Sequence, residues 1–124
     1  MTPADRAPIE PRIAALANGV HVLTVALPHA ATASVSVFVR SGSAHESAHD
    51  NGISHAVEHM MFKGTASRNR RAWNAQAEAL GAEVNAHTDK DHTAFHMRGL
   101  AADAPVFVQM LGDLVQQEAL PRGA

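Results

Sequence analysis

Residues 45–59 read HESAHDNGISHAVEH, and this stretch decides where the early strands stop and the first helix starts. It holds two opposed patterns. His45-Glu46-Ser47-Ala48-His49 has the order H-E-x-x-H, and His55-Ala56-Val57-Glu58-His59 has the reverse order, H-x-x-E-H. Either order supports metal chemistry only on a helix, where positions i and i+4 project two imidazoles from one face with the carboxylate beside them. The first pattern is squeezed between Ser41-Gly42-Ser43 and Asp50-Asn51-Gly52. A helix there would have roughly two turns and no apolar stripe, and such short helices are marginal. It reads as a loop in which His45 and His49 are incidental. The second pattern sits in a helix expected from Gly52 to Lys63, capped by Asp50 or Asn51 and stopped by Gly64. At about 100° per residue, Ile53, Ala56, Val57, Met60 and Met61 form an apolar arc expected to face the core. His55, Glu58, His59 and Phe62 share the opposite side.

Upstream of this stretch, residues 1–11 contain three prolines and read as an extended arm. Asn18-Gly19 between apolar runs predicts a hairpin with a two-residue turn. Residues 32–40, TASVSVFVR, alternate as a strand with Ala33, Val35, Val37 and Val39 on its buried face. Downstream, a second helix is expected over 69–80, strands over 83–88 and 93–99, and a third helix over 103–119. Val106, Met110, Leu111, Leu114 and Val115 recur at helical spacing in that third helix. The order β-β-β, α-α, β-β, α predicts an α+β fold, a mainly antiparallel sheet with helices packed on one face and the HxxEH helix first among them.

The chain has 124 residues, with 46% hydrophobic residues, a formal net charge of −2 and no cysteine. Its length suits one domain, with residues 12–124 as its body. No basic stripe points to nucleic acid, and no long apolar run points to a membrane span. The N-terminus lacks the charged start and apolar core of a secretory signal, so a cytoplasmic location is the default expectation. Nine histidines are many for this length, and only spacing separates a ligand from a surface histidine.

The surroundings of the second pattern add a resemblance. NGISHAVEHMMFKGT, residues 51–65, is similar to the signature of the pitrilysin and mitochondrial-processing-peptidase family, the inverzincins. Gly52, His55, Glu58, His59, Met60, Phe62, Gly64 and Thr65 all fit it. Leu16-x-Asn18-Gly19, Ser41-Gly42-Ser43 with Glu46, Leu80-Gly81, Asn85-Ala86-His87-Thr88 and Thr93-Ala94-Phe95 match further elements. The resemblance spans residues 12 to about 121, and the sequence looks closest to bacterial processing-peptidase-like members.

That resemblance implies a zinc-dependent metalloendopeptidase. His55 and His59 would bind Zn²⁺, and Glu58 would act as general base toward the attacking water. Asn85 and Ala86 would lie on an edge strand to which an extended peptide substrate adds by main-chain hydrogen bonds. The fold would be the first part of a larger α/β-roll-type catalytic domain. A catalytic zinc usually takes three protein ligands. The family's third, a glutamate about 75 residues past the second histidine, is expected beyond Ala124. Glu78, Glu83, His87, Asp89, Asp91, His92, His96 and Glu118 do not match its position. The sequence therefore reads as an N-terminal fragment, expected to be weak or inactive alone, with a second chain or homologous domain completing the site. The alternative reading is a non-catalytic peptide-binding or partner-subunit module of the same family.

Overall fold

The alternation over residues 32–40 has its expected consequence. In the computed structural model, which describes residues 8–61 and 69–116, Thr32–Val39 forms strand β3 with every second side chain half-buried. The described elements are β1 (Pro11–Ala15), β2 (His21–Val25), β3, α1 (Ile53–Met61), α2 (Arg70–Ala79), β4 (Glu83–Thr88), β5 (Thr93–Leu100) and α3 (Ala104–Gln116). Single turns of 3₁₀ helix occupy Ser43–His45 and Ala101–Asp103. The predicted α+β order holds. Phe62, Gly64 and Thr65 of the signature, most of the N-terminal arm, Glu118 and the end of the third predicted helix lie outside the described residues.

Two compact units divide the chain at Ala30. The first is the hairpin β1–β2, antiparallel with Ala15 opposite His21. Its turn differs from the expected two-residue form. Leu16 N–H donates to the Val20 carbonyl at 2.8 Å, and Gly19 N–H to the Leu16 carbonyl at 2.9 Å, so the loop comprises residues 17–19. Gly19 takes φ +90°, the left-handed position that closes a three-residue loop. Asn18 is free to use its side chain, whose Oδ1 accepts the Val20 N–H at 3.1 Å.

The second unit holds a three-stranded antiparallel sheet in the order β3–β5–β4. Central β5 pairs with both neighbours, setting Val37 and Ala86 opposite Phe95, and Val35 and Val84 opposite Met97. This face meets the helices. Phe95, Met97, Trp73, Ala77, Phe107, Met110, Leu111 and Leu114 form the buried cluster, with Val35, Val37, Val39, Val84 and Ala86 packed against it. Burial of each large side chain contributes about 1.5–3 kcal/mol. Phe107 joins the expected α3 stripe as a fully buried member, one residue from Val106, which is only half-buried. The α2 start is as expected: Asn69 Oδ1 accepts the Ala72 N–H at 2.8 Å. Among the described residues no helix is long and apolar enough to cross a membrane.

The opposite face of the same sheet carries Ser36, Phe38, Asn85, His87 and His96, which follow from the same register. Phe38 is 63% exposed there.

Candidate active site

Helix α1 is held by its approach rather than by its own sequence. Residues 41–44 run beside the β4–β5 turn: Ser43 N–H donates to the Asp89 carbonyl at 3.0 Å and Ala44 N–H to the Lys90 carbonyl at 2.7 Å. Thr93 Oγ1 donates to the Ser41 carbonyl at 2.7 Å. The contact requires Gly42, because a Cβ there would lie 2.6 Å from the Lys90 carbonyl oxygen. The loop then delivers Glu46 to the start of α1. Its Oε2 accepts the Gly52 N–H and its Oε1 the Ser54 N–H, each at 2.8 Å.

This corrects the expected cap. Gly52, not Asp50 or Asn51, precedes the first helical residue and accepts the first helical hydrogen bond, from Ala56 N–H at 3.0 Å. The capping carboxylate arrives from the preceding loop, where it satisfies donors that a helix start leaves open. These backbone donors, Gly52 first and then Ser54, hold the Glu46 carboxyl below the ordinary glutamate range. The first histidine pattern thus contributes its glutamate as an anchor. His45 and His49 stay exposed, and His45 accepts the Gly42 N–H at Nδ1.

The orientation of α1 also differs from the expected one. Ile53 is 50% and Val57 37% exposed, whereas Glu58 is only 9% exposed. Among the described side chains the Glu58 side of the helix, not Ile53, Ala56 or Val57, turns toward β4, and the side chains of Met60 and Met61 lie outside the described residues. The reason is Thr88 at the end of β4, whose hydroxyl donates to Glu58 Oε2 and satisfies a carboxylate that would otherwise be costly to bury.

His55 and His59 project one turn apart from the same helix. Their Nε2 atoms face each other at 2.8 Å, with ring centroids 4.5 Å apart. Both rings are exposed. Two nitrogens converging in this way share one proton or are drawn onto one cation, and neutral imidazole is a preferred ligand of zinc. The donor set therefore fits a metal as far as it goes. Among the described residues no group of three His, Cys, Asp or Glu is arranged to hold an ion, so the pair supplies two donors. Glu78, Glu83, His87, Asp89, Asp91, His92 and His96 do not join it in such a group.

Glu58 stands between two open clefts. One, about 670 Å³, is lined by Glu58, His59, Trp73, Asn85 and Ala86 among others. The second, about 440 Å³, is lined by His55, Glu58, Ala86, His87 and Thr88 with part of the loop. Both follow β4, which among the described strands pairs with β5 alone and so forms an edge of the sheet. Asn85 is exposed on that strand, and its Oδ1 accepts the Ala86 N–H at 2.9 Å. The structure thus sets His59, Asn85 and Ala86 beside Glu58 in one cleft and His55 and Ala86 beside it in the other. Thr88 and the capping role of Glu46 were missed from sequence. A Thr three residues after Asn85 carries no local signal that it meets a glutamate 30 positions earlier.

Comparison with known proteins bears on the family and the fold. Residues 21–123 match the model of the insulinase family, peptidase family M16. The chain is 39% identical over 112 residues to the mitochondrial-processing peptidase subunit beta of Lentinula edodes, covering 90% of the chain and 24% of the relative. It is 33% identical over 113 residues to the same subunit from Saccharomyces cerevisiae, covering 91% and 24%. Over 111 residues it is 36% identical to cytochrome b-c1 complex subunit 1, mitochondrial, of Mus musculus, covering 90% and 23%. A solved protease from Helicobacter pylori superimposes with a TM-score of 0.87 at 23% identity, over 92% of this chain and 28% of the other, which shows the shared fold. The chain spans about a quarter of the length of the curated relatives it matches. With the family model covering most of the chain, the conclusion is that it belongs to the insulinase family of peptidases, M16.

Proposed function

We propose that this chain carries the catalytic helix and the substrate edge of a zinc metalloendopeptidase that cleaves extended peptides. The observation that carries the reading is the convergence of the His55 and His59 Nε2 atoms at 2.8 Å beside a buried, hydrogen-bonded Glu58. The two imidazoles would hold the metal, with a third protein ligand supplied from outside the described residues. Zinc, when bound, supplies Lewis-acid polarisation of the scissile carbonyl and of a water.

The chain's own residues supply the rest. Glu58 accepts the proton of the attacking water at a carboxylate oxygen and returns it to the leaving amine. Thr88 keeps that carboxylate oriented by donating to Oε2. The free edge of β4 offers main-chain groups to a substrate strand, and the two clefts on either side of Glu58 leave room for its side chains along that edge. Asn85 Oδ1 now covers the Ala86 N–H, so an arriving strand takes that donor by displacing the amide. Recognition of this kind depends on extended backbone more than on one side chain.

The test is Glu58→Gln in the protein that carries this chain, with bound zinc and peptide cleavage measured together. Zinc retained with cleavage abolished is the expected outcome, and persistent cleavage would remove Glu58 from the mechanism. A second reading, a partner-subunit module without catalysis, draws support from the relative named as a subunit of the cytochrome b-c1 complex. It predicts peptide or partner binding that is indifferent to chelator.

A further inference from the structure

His87, which borders the second cleft, is joined to His92 and His96 across the other face of the sheet. Strand pairing sets Ser36 opposite His96 and His87 opposite Ala94, two residues from His96 on the same face. Ser36 Oγ and His96 Nδ1 are 2.7 Å apart, and His96 Nε2 and His87 Nδ1 are 3.2 Å apart. His87 Nε2 faces His92 Nε2 at 3.1 Å, and His92 Nδ1 lies 2.7 Å from Asp91 Oδ1. The His87 and His96 rings stack with centroids 5.2 Å apart, and exposed Phe38 flanks both His92 and His96.

With all three rings neutral, the chain has one consistent set of protons. An ionised carboxylate only accepts, so a neutral His92 donates from Nδ1 and is an acceptor at Nε2. His87 then donates from Nε2 and accepts at Nδ1, His96 donates from Nε2, and Ser36 donates to His96 Nδ1. In that arrangement every ring nitrogen has a partner. One link is unlike the others. His87 and His92 meet through their Nε2 atoms, as His55 and His59 do.

We propose that His87 and His92 form a second metal site, independent of the α1 pair, for a borderline divalent transition ion such as Zn²⁺. The ion takes the place of the proton between the two Nε2 atoms. Among the described residues no group of three is arranged to hold an ion, so this pair supplies two protein donors and water completes the coordination. The outer partners are those that ligating histidines use. His92 already has Asp91 behind Nδ1, and a carboxylate there fixes the ring and raises its basicity. His87 retains a partner once its proton moves to Nδ1, because His96 can accept at Nε2 and donate from Nδ1 to Ser36 Oγ. The rings stay neutral and carry the same number of protons before and after; only the tautomers of His87 and His96 reverse. An ion held there bridges β4 to the β4–β5 turn, the segment that includes Thr88 and the carbonyls that anchor residues 43 and 44.

The experiment uses the full chain carrying His55→Gln and His59→Gln, titrated with Zn²⁺ and followed by long-range ¹H–¹⁵N spectra of the histidine rings. One equivalent of Zn²⁺ should move the ring proton from Nε2 to Nδ1 on His87 and also on His96, which does not touch the ion. Adding His92→Gln should weaken binding at least tenfold, and Asp91→Asn by about 10–100-fold. Absence of uptake, uptake unchanged by His92→Gln, or a His96 tautomer that does not reverse overturns the proposal. Should the double variant fail to fold, His92→Gln is made in the otherwise native chain. Loss of one bound Zn²⁺ there supports the site, and unchanged stoichiometry overturns it.

Discussion

Two pairs of imidazoles in this small fold look alike at the level of atoms and arise in different ways. His55 and His59 meet at 2.8 Å because they are four residues apart on one helix. His87 and His92 meet at 3.1 Å because one stands next to the end of β4 and the other in the turn just before β5. The helical pair stands next to a buried carboxylate that takes a hydrogen bond from Thr88. The strand pair is backed by the exposed Asp91 and by a ladder running to Ser36. The lesson is that equal geometry does not mean equal chemistry. Only the first pair has a buried, hydrogen-bonded carboxylate beside it.

The largest expected effect separates the two by reaction. Glu58→Gln should lower peptide turnover by about 10²–10⁴-fold, the usual contribution of a general base, while His92→Gln leaves turnover within about twofold. Equal losses in the two variants would break the distinction. Gly42→Ala comes next. Forcing a Cβ against the Asp89 and Lys90 carbonyls should cost about 1–3 kcal/mol in a thermal or denaturant melt, because the loop that carries Glu46 must shift. An unchanged melting temperature would remove that loop from the support of α1. Thr88→Val should follow at about 1.5–3 kcal/mol by denaturant titration, since it leaves a buried carboxylate without its hydroxyl partner. Ser36→Ala, which removes only the end of the exposed ladder, should cost about 0.5–1.5 kcal/mol at most in the same titration.

Acid titration sharpens the same comparison without mutation. Burial, and then the neighbouring His87, hold His96 below the ordinary imidazole value. His87 reaches it from β4 and Ser36 from β3, with Phe38 alongside. A depressed histidine favours the neutral ring, so its contribution is complete above about pH 6.5 and is lost as pH falls through the lowered value. Glu46 follows the same sign lower down. Its contribution is complete above about pH 4.3 and is lost as pH falls through its own depressed value. In metal-free chain, NMR should therefore show the outer ladder changing before the start of α1. The reverse order would contradict the hydrogen bonding described for both.

Much of the fold was legible because its signals are local. Alternation marked β3, the Asn69 cap and the Gly81 stop bounded α2, and breakers on both sides of residues 45–49 kept that pattern out of a helix. The i, i+4 spacing of His55 and His59 likewise placed both rings on one face with no knowledge of the rest of the chain. What failed were statements about partners. The apolar arc of Ile53 and Val57 was expected to face inward, yet Thr88 draws the Glu58 side of the helix toward β4 instead. Asp50 and Asn51 were reasonable caps by position, but the Gly42 contact brings Glu46 there first.

By itself, then, the sequence determined the order of elements, the second histidine pattern as the helical one, and the family resemblance that the comparisons bear out. Tertiary structure alone decided which face of α1 is buried, which carboxylate caps it, and that Ser36, His96, His87 and His92 form one chain. The physical reason is range. Helical periodicity is fixed by backbone bonds four residues long. Strand register and loop docking are set by hydrogen bonds between residues as far apart as Ala31 and Ala101, whose pairing no local pattern records.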